Sequence, residues 1–314
     1  MTFTDLLPII VPTLAAAVLQ GTTILYAALG EVMAERAGIL NLGVEGMMLV
    51  GAVTAYGVTF TTDNAWLGLA VGAGCGVLMA LLHAVVSVTL RSDQIVSGLA
   101  LTIFGIGFSA FLGKPYVGSP LNDTLQSFPI PLLSDLPYLG QIFFDHDPLV
   151  YLSYFLVPLV WYWLYRTKAG LHARAVGENP GAADAAGISV TFYQYFHTLF
   201  GGALAGMAGA HLSISVSPSW VEGMVSGRGW IAIALVVFSG WEPIKTMLGA
   251  YLFGGAQALV FRLQTVGVAV SPFLLLTLPY VLTVAVLIYA SIKKKHHELD
   301  PPAHLAQAYE RETA

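Results

Sequence analysis

The sequence predicts an all-α protein, a polytopic bundle of transmembrane helices, and three observations carry this prediction. Of the 314 residues, 56% are hydrophobic and only 10% are charged, whereas ordinary soluble domains contain roughly 25% charged residues. The apolar runs are continuous and do not alternate with a period of two, which excludes a transmembrane β-barrel. The 33 glycines and 16 prolines are typical of closely packed, kinked membrane helices.

Segments near the length of about 20 apolar residues that crosses a bilayer occur about nine times, with eight and ten as the alternatives. They lie at 6–29, 39–60, 65–90, 94–113, 148–165, 191–215, 229–240, 247–263 and 271–290, and the seventh is short. Together they predict a transmembrane domain over 1–295 and a tail at 296–314.

The distribution of cations predicts the orientation. With the amino terminus outside, ten of the 13 Lys and Arg residues fall on the inner side, as the positive-inside rule expects. The loop at 166–190 and the tail, which follows a lysine triplet at 293–295, are then cytoplasmic. A tenth span would move the amino terminus inside but leave the tail cytoplasmic.

The stretch LGEVMAERAGILNLGVEGMMLVGA, at 29–52, places polar groups in an apolar context: Glu31, Glu35, Arg36, Asn41 and Glu45. In hydrocarbon such groups must face protein or water. We therefore expect a broken second transmembrane helix that lines a path. The alternative is an elbow at the membrane surface, with the first three side chains solvated and Asn41 capping the next helix.

Val-Glu-Gly-Met occurs at 44–47 and again at 221–224. A repeat of inverted topology puts equivalent breaks in both halves of a transporter, near a shared site. The two copies indicate a candidate inverted repeat, although four letters also coincide by chance.

The inner loop contains AVGENPGAADAAGI. Asn179 is a good N-cap and Pro180 suits the first helical position. Asp184 lies near the positive end of the helix dipole, and Gly187 can close the helix in a left-handed turn. These signals predict a short, capped helix between two spans.

The outer loop at 114–147 is broken by prolines, and we expect short helices folded over the outer mouth. His146 stands between two aspartates in FDHDP. Three adjacent residues rarely converge on one metal ion, so we interpret this motif as a solvated loop end and assign no metal ligands.

Three long runs carry a resemblance to a known family: GEVMAERAGILNLGVEGMMLVGA, AVGENPGAADAAGI and SGRGWIAIALVVFSGWEPIKTMLGAYLFGGAQAL. They resemble permease subunits of ABC importers in the ribose and branched-chain amino acid permease superfamily, and most of all its nucleoside-type branch. The runs stand in the family's order, and with the span pattern they cover most of 6–290.

The resemblance implies a multi-pass subunit of the bacterial plasma (cytoplasmic) membrane that works with three partners. These are a second homologous permease, a cytoplasmic ABC ATPase and an external lipoprotein that binds the nucleoside. ATP would bind to the partner, with no cofactor in this chain. The resemblance also implies an ATPase-coupling helix, which assigns that role to Gly177, Glu178, Asn179, Pro180, Asp184 and Gly187.

The residues themselves agree that energy comes from elsewhere, because no GxxxxGK[ST] phosphate loop is present. The net charge of −5 gives no sign of nucleic-acid binding. Candidate residues of the substrate path offer polar groups for ribose hydroxyls and an aromatic ring for base stacking: Asn41, Glu45, Gln94, Ser97 and Trp230. Each of them also fits interhelical hydrogen bonding or interfacial anchoring.

Two further functions stay open. An ion-coupled secondary transporter would use Glu45, Glu222 or His211 to carry a proton or an ion. The other alternative is an ABC permease for a simple sugar or another small polar solute. An intramembrane enzyme using the histidines is disfavoured, because they lack metal-type spacing such as HExxH and no nucleophile stands in a recognisable setting.

Overall fold

The computed structural model of the protein describes residues 3–265 and 301–311, with single positions at 277, 281, 284, 285 and 288. Apart from those single positions, the predicted ninth span at 271–290 and the lysine triplet at 293–295 lie outside the described residues. Helices dominate the rest, which confirms the all-α prediction.

Eleven α-helices follow one another in the described residues: α1 Phe3–Arg36, α2 Val44–Thr62, α3 Ala65–Ala84, α4 Gln94–Gly113, α5 Leu139–Phe143, α6 Pro148–Arg166, α7 Lys168–Glu178, α8 Pro180–Ala185, α9 Val190–His211, α10 Arg228–Ser239 and α11 Pro243–Thr265. Turns of π-helix extend α3 over Val85–Thr89 and α9 over Leu212–Val216, and a 3-10 turn, Lys114–Tyr116, follows α4.

Six helices in the described part of the chain are long and apolar enough to cross a membrane: Leu7–Arg36, Val44–Thr62, Ala65–Thr89, Gln94–Tyr116, Pro148–Arg166 and Val190–Val216. The seventh and eighth predicted segments coincide with α10 and α11, of which α10 is the shorter apolar helix. The first predicted segment ends too early, because α1 continues through its charged residues to Arg36.

Glycines bring the central helices into backbone contact. A Cβ added at Gly76 of α3 would lie 2.1 Å from the carbonyl oxygen of Gly202 in α9, and one added at Gly30 of α1 would lie 2.6 Å from that of Gly201. Lipid provides no hydrophobic force between helices, so such close contacts supply the attraction. The prediction of tightly packed helices is confirmed at these crossings.

The outer segment forms a small ordered unit. Phe128–Pro129 (β1) pairs with Asp145–His146 (β2) in an antiparallel ribbon, and α5 lies between the two strands. The prediction of a solvated end at FDHDP is wrong, because His146 and Asp147 are buried. Asp147 Oδ1 accepts from the amide of Leu149 (2.8 Å), and its Oδ2 lies 3.0 Å from His211 Nε2. The motif therefore ties α6 to α9.

Candidate functional site

Between α1 and α2 the chain is not helical for seven residues, 37–43, which we call the broken stretch. It begins with a turn in which Gly38 has a φ of +85°, a conformation that favours glycine. Helix α2 then begins at Val44, with Gly43 rather than Asn41 at its N-cap. The first five residues of the predicted second span at 39–60 are therefore not helical, whereas α2 itself is continuous from Val44 to Thr62. The Asn41 cap of the alternative interpretation is wrong.

The broken stretch runs along the side of α4. Its Leu40 amide meets Gln94 at the start of α4, and its Leu42 carbonyl oxygen accepts a hydrogen bond from Thr102 Oγ1 at 2.8 Å. The eight residues from Gln94 to Thr102 span about 12 Å of helix. Because Gln94 begins a membrane-spanning helix, α2 starts well inside the bundle and not at its surface.

Buried side chains satisfy the backbone of the broken stretch. Gln94 Oε1 accepts from the Leu40 amide (2.8 Å), and the amide of Asn41 donates to Glu31 Oε1 (2.8 Å). His83 Nε2 lies 3.1 Å from the Leu40 carbonyl oxygen, to which it donates, while its Nδ1 lies 3.0 Å from Ser97 Oγ. Non-helical backbone inside a membrane needs such partners.

Asn41 closes the broken stretch on itself. Its Oδ1 accepts from the amide of Gly43 at 2.9 Å, and its Nδ2 lies 3.4 Å from Met47 Sδ. Three predicted path residues, Asn41, Gln94 and Ser97, are thus gathered around one piece of backbone, and all three are buried.

Glu45 joins the starts of two helices. It stands in the first turn of α2, and its carboxylate accepts from the amides of Gly227 (2.8 Å) and Gly229 (2.7 Å) at the start of α10. A carboxylate is favoured there because a helix presents unpaired N–H groups and a positive dipole end. A Cβ added at Gly229 would lie 2.6 Å from the amide nitrogen of Glu45, so the two helix starts are in contact.

The position of α10 shows how deep Glu45 lies. The carbonyl oxygen of Gly240, just after α10, accepts from Arg36 at the end of α1. Gly227 and Gly240 flank the 12 residues of α10 and are therefore about 20 Å apart along the helix. This is more than half of a hydrocarbon core of about 30 Å.

Trp230 differs from the other predicted path residues. Its backbone follows Gly229 beside Glu45, but its side chain is 38% exposed, whereas that of Glu45 is buried. Among the five predicted residues it is the one that presents a large aromatic surface away from the protein.

The charged end of α1 is buried, so the elbow with solvated side chains is wrong. Glu31 and Glu35 are 2% and 1% exposed. Trp241 Nε1 donates to Glu35 Oε2, and Arg36 Nη2 donates to Tyr165 OH (3.1 Å). The sequence alone did not identify His83, Thr102 or Trp241 as partners of this region. The one indication it offered was that a polar residue in an apolar run, such as His83 or Thr102, needs a hydrogen-bond partner.

The inner loop holds two helices, α7 and α8, which we call the inner-loop pair. Asn179 Oδ1 accepts from the amide of Ala182 at 2.9 Å, Pro180 is the first residue of α8, and Gly187 has a φ of +80°. The predicted capping is confirmed. The preceding helix, α7, was not predicted; the side chain of Thr167 caps it by accepting from the Gly170 amide at 3.0 Å.

The inner-loop pair packs against the end of α1 and the first residues of the broken stretch. A Cβ added at Gly177 would lie 2.3 Å from the carbonyl oxygen of Arg36 and 3.2 Å from the amide nitrogen of Gly38. No other residue type fits such a contact without movement of one backbone. The outward face of α8 is small and exposed, and it consists of Gly181, Ala182, Ala185 and Ala186.

The sequence matches the family described as "Branched-chain amino acid transport system / permease component" over residues 13–290. The chain belongs to this permease family. Membership makes it a multi-pass transport permease and not an enzyme. The match includes the broken stretch and the inner-loop pair and stops before the tail at 301–311.

Curated relatives cover most of the permease. It is 44% identical to a putative glucose ABC transporter permease protein of Haloferax volcanii (95% of this chain, 97% of the relative). It is 36% identical to a nucleoside ABC transporter permease protein of Lactococcus lactis (86% and 89%) and 33% identical to a guanosine ABC transporter permease protein of Bacillus subtilis (91% and 93%). The resemblance to nucleoside-type permeases is therefore confirmed.

Each of these three organisms also has a second, more distant relative with a permease name of the same substrate, at 23% identity in Haloferax volcanii, 22% in Lactococcus lactis and 25% in Bacillus subtilis. Among solved structures, an inward-facing putative metal-chelate type ABC transporter matches 90% of this chain and 85% of its own, with a TM-score of 0.52 and 13% identity. This likeness shows that the chain shares its overall fold with a chain of that transporter.

Proposed function

We propose that this permease is the membrane-spanning subunit of an ATP-driven importer of nucleosides and that it forms half of the translocation path. The observation that carries the proposal is the contact of Gly177 with Arg36 and Gly38. Through this contact a movement of the inner-loop pair reaches the broken stretch directly. The broken stretch in turn leads to Glu45, where α2 and α10 begin.

The proposed assembly has three partners. A cytoplasmic ATPase binds ATP and docks on the exposed face of α8, and an external lipoprotein delivers the nucleoside. A second, homologous permease completes the path, a proposal supported by the paired permeases of three organisms. The inner loop and the tail at 301–311 touch each other, so they lie on the same side, and the proposed side is the cytoplasmic side of a bacterial plasma membrane.

In the proposed path, Trp230 stacks on the base, because its ring is the exposed one. Asn41, Glu45, Gln94 and Ser97 form the wall and hold its shape through their internal bonds. A path with few charged contacts releases its cargo readily, which suits a conduit that receives substrate from a separate binding protein.

The proposed span number is nine, with an inverted repeat. The repeat is supported by α2 and α10, which both begin at breaks inside the bundle and meet at Glu45. The two Val-Glu-Gly-Met copies do not occupy equivalent positions, since one starts α2 and the other lies in turns before α10. Cysteines at Thr4 and Ala303, in a Cys75→Ala background, should be labelled from opposite sides of the membrane. Labelling from the same side contradicts an odd number of spans.

Glucose is the second candidate substrate, because the relative at 44% identity carries a glucose name. Uptake of labelled guanosine and labelled glucose by cells with the complete transporter, each competed by the other, separates the two. We expect guanosine uptake that glucose does not inhibit. Trp230→Ala should lower nucleoside uptake about three- to tenfold through loss of aromatic stacking; an equal loss with glucose as cargo argues against base stacking.

The coupling role is tested at Ala182, which lies on the exposed face of α8. Ala182→Trp should reduce ATP-driven uptake at least about tenfold, because a bulky side chain there separates the docked ATPase from α8, while membrane abundance stays normal. Ala182→Ser at the same position is the matched control and should keep uptake. Uptake that persists without ATP and collapses with an ion gradient would instead establish the secondary transporter.

A further inference from the structure

The tail at 301–311 lies beyond the family match at 13–290, yet it is seated on the face that carries the inner-loop pair. Its first contacts are with α7. The amide of His304 donates to the carbonyl oxygen of Gly177 (2.9 Å), and the amide of Ala303 donates to Glu178 Oε2 (3.1 Å). The tail thereby binds the backbone at the same glycine that packs against the end of α1.

The second group of contacts is with α8. Asp184 Oδ2 accepts from Tyr309 OH (3.1 Å) and lies 2.8 Å from Arg311 Nε. The ring of Tyr309 packs beneath the helix against the buried side chains Val176, Ala183 and Val190. Tyr309 therefore holds α8 from its inner side through both apolar and polar contacts.

A third group of contacts joins the tail to the start of α4. Arg91 Nη1 lies 2.7 Å from Glu310 Oε1, and Gln94 Nε2 donates to the carbonyl oxygen of Gln307 (3.3 Å). The other amide atom of Gln94, Oε1, accepts from Leu40 of the broken stretch. A single side chain therefore connects the tail to the backbone that runs into the bundle.

The tail does not cover the outward face of α8, on which the ATPase is proposed to dock. With the tail in place, Gly181, Ala182, Ala185 and Ala186 are all exposed. A tail that inhibits by blocking the ATPase would cover these residues. The contacts instead lie between the inner-loop pair and the membrane helices, where a segment can join the two but cannot exclude a partner from the outward face.

We propose that residues 301–311 form a positioning strap, which fastens the inner-loop pair to the start of α4 and to the turn at Gly38. The proposal rests on the coupling role given above to α7 and α8. The strap makes these elements move as one body, so that a displacement imposed on α8 is carried to Gln94 and Leu40. Tyr309, Arg311 and Gln307 are positioning residues in this sense and touch no substrate.

The main test compares a chain that ends at residue 300 with a control chain that ends at residue 311, which retains every contact described above. In the purified permease without its ATPase, the shorter chain should show amide hydrogen exchange at 177–187 that is about tenfold faster, because the two hydrogen bonds that tail amides donate to Gly177 and Glu178 are lost. In the complete transporter, its ATP-driven uptake should fall severalfold at normal abundance. The control should match the full chain in both measurements.

Charge reversal provides a second test that removes no residues. Arg311→Glu and Asp184→Arg should each speed exchange at 177–187 about two- to fivefold, a modest effect because the pair is partly exposed. The double reversal should restore slow exchange. Restoration is specific to a direct pair, since two unrelated defects would accumulate.

Three outcomes overturn the strap. Unchanged exchange at 177–187 in the shorter chain would contradict the contact between the tail and the loop, and this measurement does not depend on the ATPase. Faster exchange with unchanged uptake would contradict a role of the strap in transmitting movement. Higher uptake in the shorter chain would show that the tail is inhibitory. If the full-length Ala182→Trp variant keeps ATP-driven uptake while the exchange result holds, the coupling role of α8 fails and the strap contact stands.

Discussion

The broken stretch and the inner-loop pair are neighbours that use similar residues in opposite ways. Both contain asparagine and glycine, and they touch at Gly177. At the broken stretch, buried polar side chains accept from backbone amides that no helix satisfies. Asn41 accepts from the amide of Gly43, and Gln94 of α4 accepts from the amide of Leu40. In the inner-loop pair the cap at Asn179 is local, and the outward face is small and exposed. The polar residues at the broken stretch are buried and stabilise the fold, whereas the exposed residues of α8 are accessible to a partner.

The comparison is tested first at Glu45, where we expect the largest effect. Glu45→Ala leaves the amides of Gly227 and Gly229 without their charged acceptor inside the bundle. Two charge-assisted bonds are lost, so the folded protein should lose about 3 kcal/mol of stability. Thermal unfolding of the purified permease in detergent measures this loss.

Glu45→Gln is the matched variant, because it keeps the shape and one acceptor oxygen. It should lose less stability than Glu45→Ala. If its transport falls while its abundance is normal, Glu45 also contacts the substrate path. A loss of abundance alone in both variants confines Glu45 to the fold.

The second test places the same change at the start of α10, where it meets Glu45 just after the broken stretch, and on α8 of the inner-loop pair. Gly229→Ala puts a Cβ 2.6 Å from the amide nitrogen and Cα of Glu45, and the backbones must separate. We expect a loss of about 2 kcal/mol. Gly181→Ala on α8 first meets Asn179 Oδ1 at 3.5 Å, so it should be neutral or stabilise the helix by up to about 1 kcal/mol. Equal melting temperatures for the two variants would remove the distinction between the regions.

Local signals in the sequence predicted the helices and the breaks well. Continuous apolar runs indicated the positions of the long helices and of α10, and Asn179, Pro180 and Gly187 predicted the start and end of α8, because capping depends on residues within one turn. The glycines and polar residues of 29–52 predicted the break before α2. Each of these features is decided by neighbours in the chain.

Contacts between distant residues were not predictable in the same way. The Gln94 side chain accepts from the amide of Leu40, 54 residues away in the chain. The Trp241 side chain donates to the carboxylate of Glu35, 206 residues away. The sequence showed that these groups need partners but not which ones. Three of the five predicted path residues, Asn41, Glu45 and Gln94, accept hydrogen bonds from backbone amides. The strap was invisible for the same reason, since Tyr309 and Arg311 meet Asp184 only in the folded chain.

The smallest effect is expected at Asn179, whose side chain caps α8 in the inner-loop pair, the more exposed of the two regions. Asn179→Ala removes the acceptor for the Ala182 amide and should cost about 1 kcal/mol, confined to α8. Asn179→Asp retains an acceptor and is the control. Because the cap lies outside the membrane bundle, global unfolding should change little, while hydrogen exchange at 180–186 becomes about fivefold faster and ATP-driven uptake falls. A variant with faster exchange at 40–43 as well would show that the cap also supports the broken stretch, and the two regions would then form one unit.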